Sequence, residues 1–238
     1  MKKRWHFSPR AIASAVARVA LRGDLVLLAL FIAIIALLVL QIPPAVLDAL
    51  IALNITVSVG LLMLSIYVGS PLGLSTFPSL LLFTTLLRLS LNIASTKQIL
   101  LHANAGQIID AFGRFVVGGN VVVGIVVFLI IAIVQFIVIA KGAERVAEVG
   151  ARFTLDALPG KQMSIDAELR AGLIDKHESR AKRELLQRES QLYGAMDGAM
   201  KFVKGDAIAG LLIALVNILA GISIGMAMKD MDIGSAMT

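Results

Sequence analysis

The sequence predicts an all-α, polytopic helical membrane protein: five transmembrane helices and a small helical cytoplasmic subdomain. Three observations carry that prediction. Of 238 residues, 58% are apolar and only 16% charged, with a mean hydropathy of +0.89; an average soluble domain carries roughly 25% charged residues. Several nearly uncharged runs approach the ~20 residues that cross a bilayer as a helix. The basic residues gather in two segments: six in 1–23 and twelve in 141–206, together 18 of the 22. Such a chain has too little polar surface to cover itself in water, which excludes a disordered tail and an ordinary soluble enzyme. The net charge of +6 and pI near 9.8 would suggest nucleic acid in a soluble protein. Here the cations flank apolar runs, so no nucleic-acid partner is expected and membrane lipid is.

The elements follow in order. Residues 1–23 are basic and carry no acid, and Ser8-Pro9 can start an amphipathic helix through Arg22 that lies on anionic lipid. The first span, Leu25 to Ile42, has no charge, and Pro43-Pro44 ends it by removing backbone donors. The pair also argues against a cleaved leader, which needs a small-x-small site. The second span, Ala45 to Val68, contains only Asp48 and Asn54 as strongly polar residues. The third runs from Phe77 to Ser95, with Pro78 in the first turn, where proline fits a helix start. It carries Arg88, at an insertion cost of ~2.5–3.5 kcal/mol, which its leucines outweigh. The stretch 98–119 mixes polar and apolar residues and should lie along the outer interface or pack on a neighbouring subunit. The fourth span is Asn120 to Ala140. The fifth is Ala207 to Met228, with an outer tail to 238.

Five spans put both basic segments on one side, whereas four would separate them. By the Lys and Arg bias of cytoplasmic loops, the N-terminus and the 141–206 segment are expected in the cytoplasm. Within that segment, Asp175 and Glu178 fit a capping box, and Ser164 can cap a short helix, Ile165 to Arg170, that Gly172 stops. Residues 152–163 show too little periodicity for a long helix. Gly160-Lys161 is no phosphate loop, because Leu155 and Gln162 stand where that motif needs Gly and Ser or Thr.

Three longer motifs are more telling. They are RLSLNIASTKQIL from Arg88 to Leu100, RFTLDALPGKQMSIDAEL from Arg152 to Leu169, and YGAMDGAMKFVKGDAIAG from Tyr193 to Gly210. With them the chain resembles the FHIPEP family, the large export-gate protein of flagellar and virulence type III secretion systems. The likeness runs in register from about Gly23 onward. GAERVAEV and RESQLYGAMDGAMKF are closer to the virulence branch. The resemblance implies an eight-span membrane part, a large cytoplasmic substrate-docking domain, and a ring of nine subunits in the bacterial inner membrane. It implies, as partners, other export-apparatus membrane proteins, secreted substrates and their chaperones. This chain would then hold the membrane-domain part. Lys97 departs from the family pattern, which usually has Arg; charge is kept but the planar fork is lost.

Thr84, Arg88, Asn92 and Thr96 recur every four residues on one helix face. A polar stripe in lipid points at protein or water, either as interhelical glue or as a charge network. Asp206, just before the fifth span, fits an N-cap and equally a carboxylate at the mouth of a membrane path. The resemblance assigns it proton binding, with Lys201 and Lys204 near enough in sequence to influence it. Arg152 and Asp156, four apart, suit a surface pair; the resemblance adds them, with Arg88, Asn92, Lys97 and Lys201, to the charged set. Histidines 6, 102 and 177 are scattered, cysteine is absent, and no nucleophile–base set occurs. No enzyme, metal or cofactor is expected.

The expected function is a proton-motive-force-coupled export gate. Two alternatives stand beside it: a ring scaffold without ion conduction, and a small-solute/proton transporter. The last predicts an internal repeat with broken helices, which these residues lack.

Overall fold

The computed structural model describes residues 23–102, 104, 106–118 and 121–229. The expected amphipathic helix before Arg22 and the tail after Lys229 lie outside the described residues. Every regular element among the described residues is helical. They are α1 (Gly23–Val39), α2 (Pro44–Tyr67), a 3₁₀ turn (Pro71–Leu74), α3 (Phe77–His102), α4 (Gln107–Val117), α5 (Val121–Val134), a π-helical turn (Gln135–Ala140), α6 (Lys141–Asp156), α7 (Leu158–Arg170) and α8 (Lys176–Lys229).

Four helices are long and apolar enough to cross a membrane, namely α2, α3, the rod that begins with α5, and α8; α1 is a shorter apolar helix. The polytopic helical reading holds. The bundle is organised around α3, which packs against α1, α2 and α8. Its core is small: Leu47 of α2 with Leu91 and Ala94 of α3, joined by half-buried Ile42, Leu50, Ile51 and Leu87. In lipid no hydrophobic force drives helices together, so close packing and polar contacts hold them.

Local chemistry sets the ends. Pro43 precedes α2 with Pro44 in its first turn, and the Pro43 carbonyl accepts from Val46 and Leu47 amides at 3.0 and 3.1 Å. Pro78 sits in the first turn of α3 as expected. α4 ends on Gly118 at φ +58°, a left-handed position that favours glycine. α7 ends on Gly172 at φ +74°, where the Leu173 amide reaches back to the Glu168 carbonyl at 3.0 Å. The Asp175 carboxylate accepts from the Glu178 amide at 2.6 Å and so caps α8.

Three expectations need correction. The third span was set to end at Ser95, but α3 runs on to His102, so the amphipathic helix after it is the shorter α4. Residues 152–163 are helical, and Ser164 caps nothing: it lies inside α7, with its hydroxyl near Glu168 at 3.5 Å. Pro159, in the first turn of α7, marks the break between α6 and α7. The largest change concerns α8. It is one helix of 54 residues, with no boundary at Asp206. At 1.5 Å per residue it extends roughly 80 Å, well beyond a ~30 Å hydrocarbon core.

Outside the bundle, α7 folds back on α8. Lys182 meets Glu168 at 2.8 Å, Arg183 meets Asp166 at 2.5 Å and Lys161 meets Glu189 at 3.2 Å, around buried Ile165, Leu186 and Leu192. The hydrogen bond from Lys182 holds the Glu168 carboxyl below its ordinary range, and the same bond raises Lys182. α6 packs along α8 nearer the bundle, with Lys204 on Glu144 at 2.7 Å.

Candidate functional site

The polar residues of α3 and α8 meet along one seam. Asp206 lies inside α8, with its side chain 2% exposed, and its Oδ2 accepts from the Arg88 guanidinium of α3. The N-cap reading of Asp206 therefore fails: a residue in mid-helix has no orphan amides above it to satisfy. Helix continuity through Val203, Lys204 and Gly205 carries the carboxylate sideways onto α3. Its Oδ1 is buried without a hydrogen-bond partner. Arg88 remains 45% exposed, so the pair has one dry side and one open side.

Above the pair the seam continues. Asn92 lies one turn beyond Arg88 and comes close to Gly210 of α8, where an added Cβ would stand 3.9 Å from its Nδ2. Higher still, the Asn217 amide donates to the Thr96 hydroxyl at 3.1 Å. The contacts Arg88–Asp206 and Thr96–Asn217 follow in the same order along both chains, so α3 and α8 run parallel. Polar groups buried in pairs cost less than groups left facing acyl chains. The four-residue stripe of α3 thus supplies both an ion pair and an interhelical hydrogen bond.

The other predicted residues are elsewhere. Lys97 donates to the carbonyls of Leu38 and Val39 at the C-terminal end of α1, the second at 3.3 Å. There a cation meets unpaired carbonyls and the negative end of the helix dipole. Lys201 pairs with Asp197 at 2.7 Å and Lys204 with Glu144, so both expected neighbours of Asp206 are engaged by other carboxylates. Arg152 and Asp156 form an exposed pair within α6 at 3.6 Å, with side chains 79% and 72% exposed. The expected set is therefore dispersed. Arg88, Asn92 and Asp206 come together, while Lys97, Lys201, Arg152 and Asp156 do not join them.

Two features escaped the sequence reading. The Asp48 carboxylate reaches α4, where Oδ2 accepts from Gln107 N at 2.9 Å and Oδ1 from Ile108 N at 3.2 Å. The second is a cleft of about 260 Å³ between α2, α3 and α8, lined by Asn54, Ser58 and Ser65 together with Thr84 and Arg88. The spacing of Asn54, Ser58 and Ser65 on one face of α2 is a signal the sequence did contain.

The FHIPEP family model matches residues 34–238. The chain is 69% identical over 214 residues to the hypersensitivity response secretion protein HrcV of Ralstonia nicotianae, covering 90% of this chain and 31% of that one. It is 59% identical over 220 residues to the low calcium response locus protein D of Yersinia pestis, covering 92% and 31%. It is 57% identical over 216 residues to the secretion system apparatus protein SsaV of Salmonella typhimurium, covering 91% and 32%. The chain thus spans about a third of the length of these curated relatives. No solved structure matches it. With the match running through the α3–α8 seam, the chain belongs to the FHIPEP family.

Proposed function

We propose that this chain is membrane machinery of a type III secretion export gate, and that it couples the proton motive force to the passage of unfolded protein substrates. The observation that carries the reading is the Arg88–Asp206 pair. It joins a carboxylate buried to 2% in α8 to a half-exposed guanidinium in α3, at the level where α8 passes from the charged α6–α7–α8 region into the apolar bundle. Ionisable residues in such a place mark ion pathways by default. Relatives named as secretion proteins supply the process.

In this reading the bundle sits in the bacterial inner membrane, with the N-terminus and the 141–206 region in the cytoplasm. Protonation of Asp206 removes the charge that holds Arg88. Because α8 is a single helix from the bundle to the α7 hairpin, a change at Asp206 is transmitted along a rigid rod. The 141–206 region then shifts against the membrane and gates the passage. Nine copies surround the passage, alongside other export-apparatus proteins, and substrates with their chaperones arrive from the cytoplasm.

The test is secretion by the full-length protein carrying Asp206→Asn, Arg88→Ala or Arg88→Lys. Asparagine keeps a hydrogen-bond acceptor but cannot exchange a proton. The expected outcome is loss of export with assembly intact for Asp206→Asn, and a larger defect for Arg88→Ala than for Arg88→Lys. Removing one member of this pair leaves the other without its counter-charge, so the membrane content of each variant is measured alongside. Normal export by a well-inserted Asp206→Asn protein would leave the ring-scaffold reading in its place.

A further inference from the structure

The cleft beside the ion pair has a polar wall to which no role has been given. On α2, Asn54, Ser58 and Ser65 lie on one face, with Leu61 and Leu62 between them; across the gap stand Thr84 and Arg88 of α3. The chain direction orients it. Ser65 is near the end of α2, Phe77 begins α3, and Val203 of α8 lies on the hairpin side of Asp206; all three line the cleft. The cleft therefore starts at the end of the bundle that carries the α7–α8 hairpin and rises to Asn54 and Arg88.

The lining chemistry selects an occupant. The Ser58 hydroxyl donates to the Asn54 carbonyl at 2.8 Å, Ser65 to the Leu62 carbonyl at 2.8 Å, and Thr84 to the Leu80 and Leu81 carbonyls at 3.0 Å. Each proton is turned back to its own helix, so each oxygen offers lone pairs to the gap. Asn54 Oδ1 is enclosed away from the gap without a hydrogen-bond donor, and Leu61, Leu62, Phe77, Leu81 and Val203 make the rest of the lining apolar. A row of acceptors under a guanidinium is unfavourable for an acyl chain and, with donors only at the top, for an anion. Water fits it, and about 260 Å³ holds several waters that can find polar partners.

We propose that this cleft is a water-filled vestibule that opens on the hairpin side and brings water up to Arg88, the residue that separates it from Asp206. That it carries away the proton Asp206 releases rests on the function proposed above; the water path itself does not. Asn54 and Ser58 are then positioning residues that keep the water column continuous at the depth of the pair.

The chain contains no cysteine, so single cysteines report accessibility cleanly. In full-length protein in native membranes, Ser58→Cys and Ser65→Cys are exposed to a membrane-impermeant methanethiosulfonate from either side. Met63→Cys, on the opposite face of α2 at intermediate depth, is the lipid control, and Leu173→Cys in the exposed loop marks the hairpin side. The expected result is labelling of positions 58 and 65 from the Leu173 side, at least ~10-fold faster than position 63, because the reagent attacks the thiolate, which forms only in water. Rates equal to that of position 63 would overturn the proposal, since lipid or a neighbouring helix would then fill the cleft. Labelling only from the side opposite Leu173 would overturn it as well. Repeating Ser58→Cys with Asp206→Asn separates the two readings. Labelling that persists while export is normal retains the vestibule and removes the proton site.

Discussion

Asp48 shows how much one residue can decide in a thinly packed membrane protein. Its carboxylate takes the first free amides of α4, where a negative charge also complements the positive end of the helix. The contact requires Gly106. That residue sits at φ +87°, ψ 164°, a region essentially confined to glycine, and an added Cβ would stand 2.6 Å from Asp48 Oδ1. Asn104 completes the turn by accepting from the Gly106 amide at 2.9 Å. The sequence displayed a lone acid in a span but not its partner, which is 59 positions away and recognisable only once α2 and α4 are adjacent. Asp48→Ala should cost about 1 kcal/mol, as cap losses do, and Gly106→Ala about 1–3 kcal/mol from backbone strain together with the lost contact. The double variant should cost less than the sum, because both substitutions break the same junction. Thermal unfolding in a single detergent measures all three; unchanged melting of Asp48→Ala would mean that lipid alone seats α4.

At the scale of elements, hydropathy located the spans and missed how the helices continue. A transfer scale marks where apolarity stops, not where helicity stops. Asp206 therefore looked like a beginning, although Val203, Lys204 and Gly205 contain nothing that ends a helix against the packing of α6 and α3. The π turn at Gln135–Ala140 was likewise invisible, since its residues are ordinary span residues. It brings Ala140, 2% exposed, against its neighbours and leaves Lys141 over the Phe136 ring at 5.3 Å. The capped hairpin was more legible, because Gly172, Asp175 and Glu178 are local signals. Its charge pairs give a pH prediction. Glu168 is held below its ordinary 4.5 by Lys182, so its contribution is present above that value and is lost only as pH falls through the lowered one. Lys182 is raised above its ordinary 10.5, so its contribution is present below that value and lost only as pH rises through the raised one. Spin labels at Met163→Cys and Gln187→Cys should thus report an unchanged α7–α8 distance at pH 4.5. With Lys182→Met the distribution should broaden at pH 4.5 and at neutral pH alike, because the Glu168 pair is then absent at every pH. A narrow distribution in both proteins would assign the hairpin to its apolar contacts alone.

The whole molecule presents more apolar helix than it covers. Its spans are almost unburied within one chain: the share buried is 0% for α2 and for the rod that begins with α5, 6% for α8, and 28% only for α3. Lipid accounts for much of that surface, but small residues discriminate between lipid and protein, since close backbone approach is how helices associate in membranes. Gly210 is used internally, with Asn92 of α3 close to it, whereas Gly60 of α2 and Gly221 of α8 have nothing within 4 Å. That difference makes the nonameric ring implied by the family resemblance testable at single positions. In mild detergent the 238-residue chain should keep a homo-oligomer, nine copies in the expected ring. Gly221→Leu should lower the assembled mass without altering the monomer's melting, because its side chain would project into space that only a neighbour occupies. Gly210→Leu should instead lower the melting temperature, because it separates α3 from α8 within each copy. Mass photometry reads the first effect and thermal unfolding the second. A clean monomer across several detergents, with Gly221→Leu indistinguishable from the parent, would place ring closure outside these residues and leave Gly221 facing acyl chains.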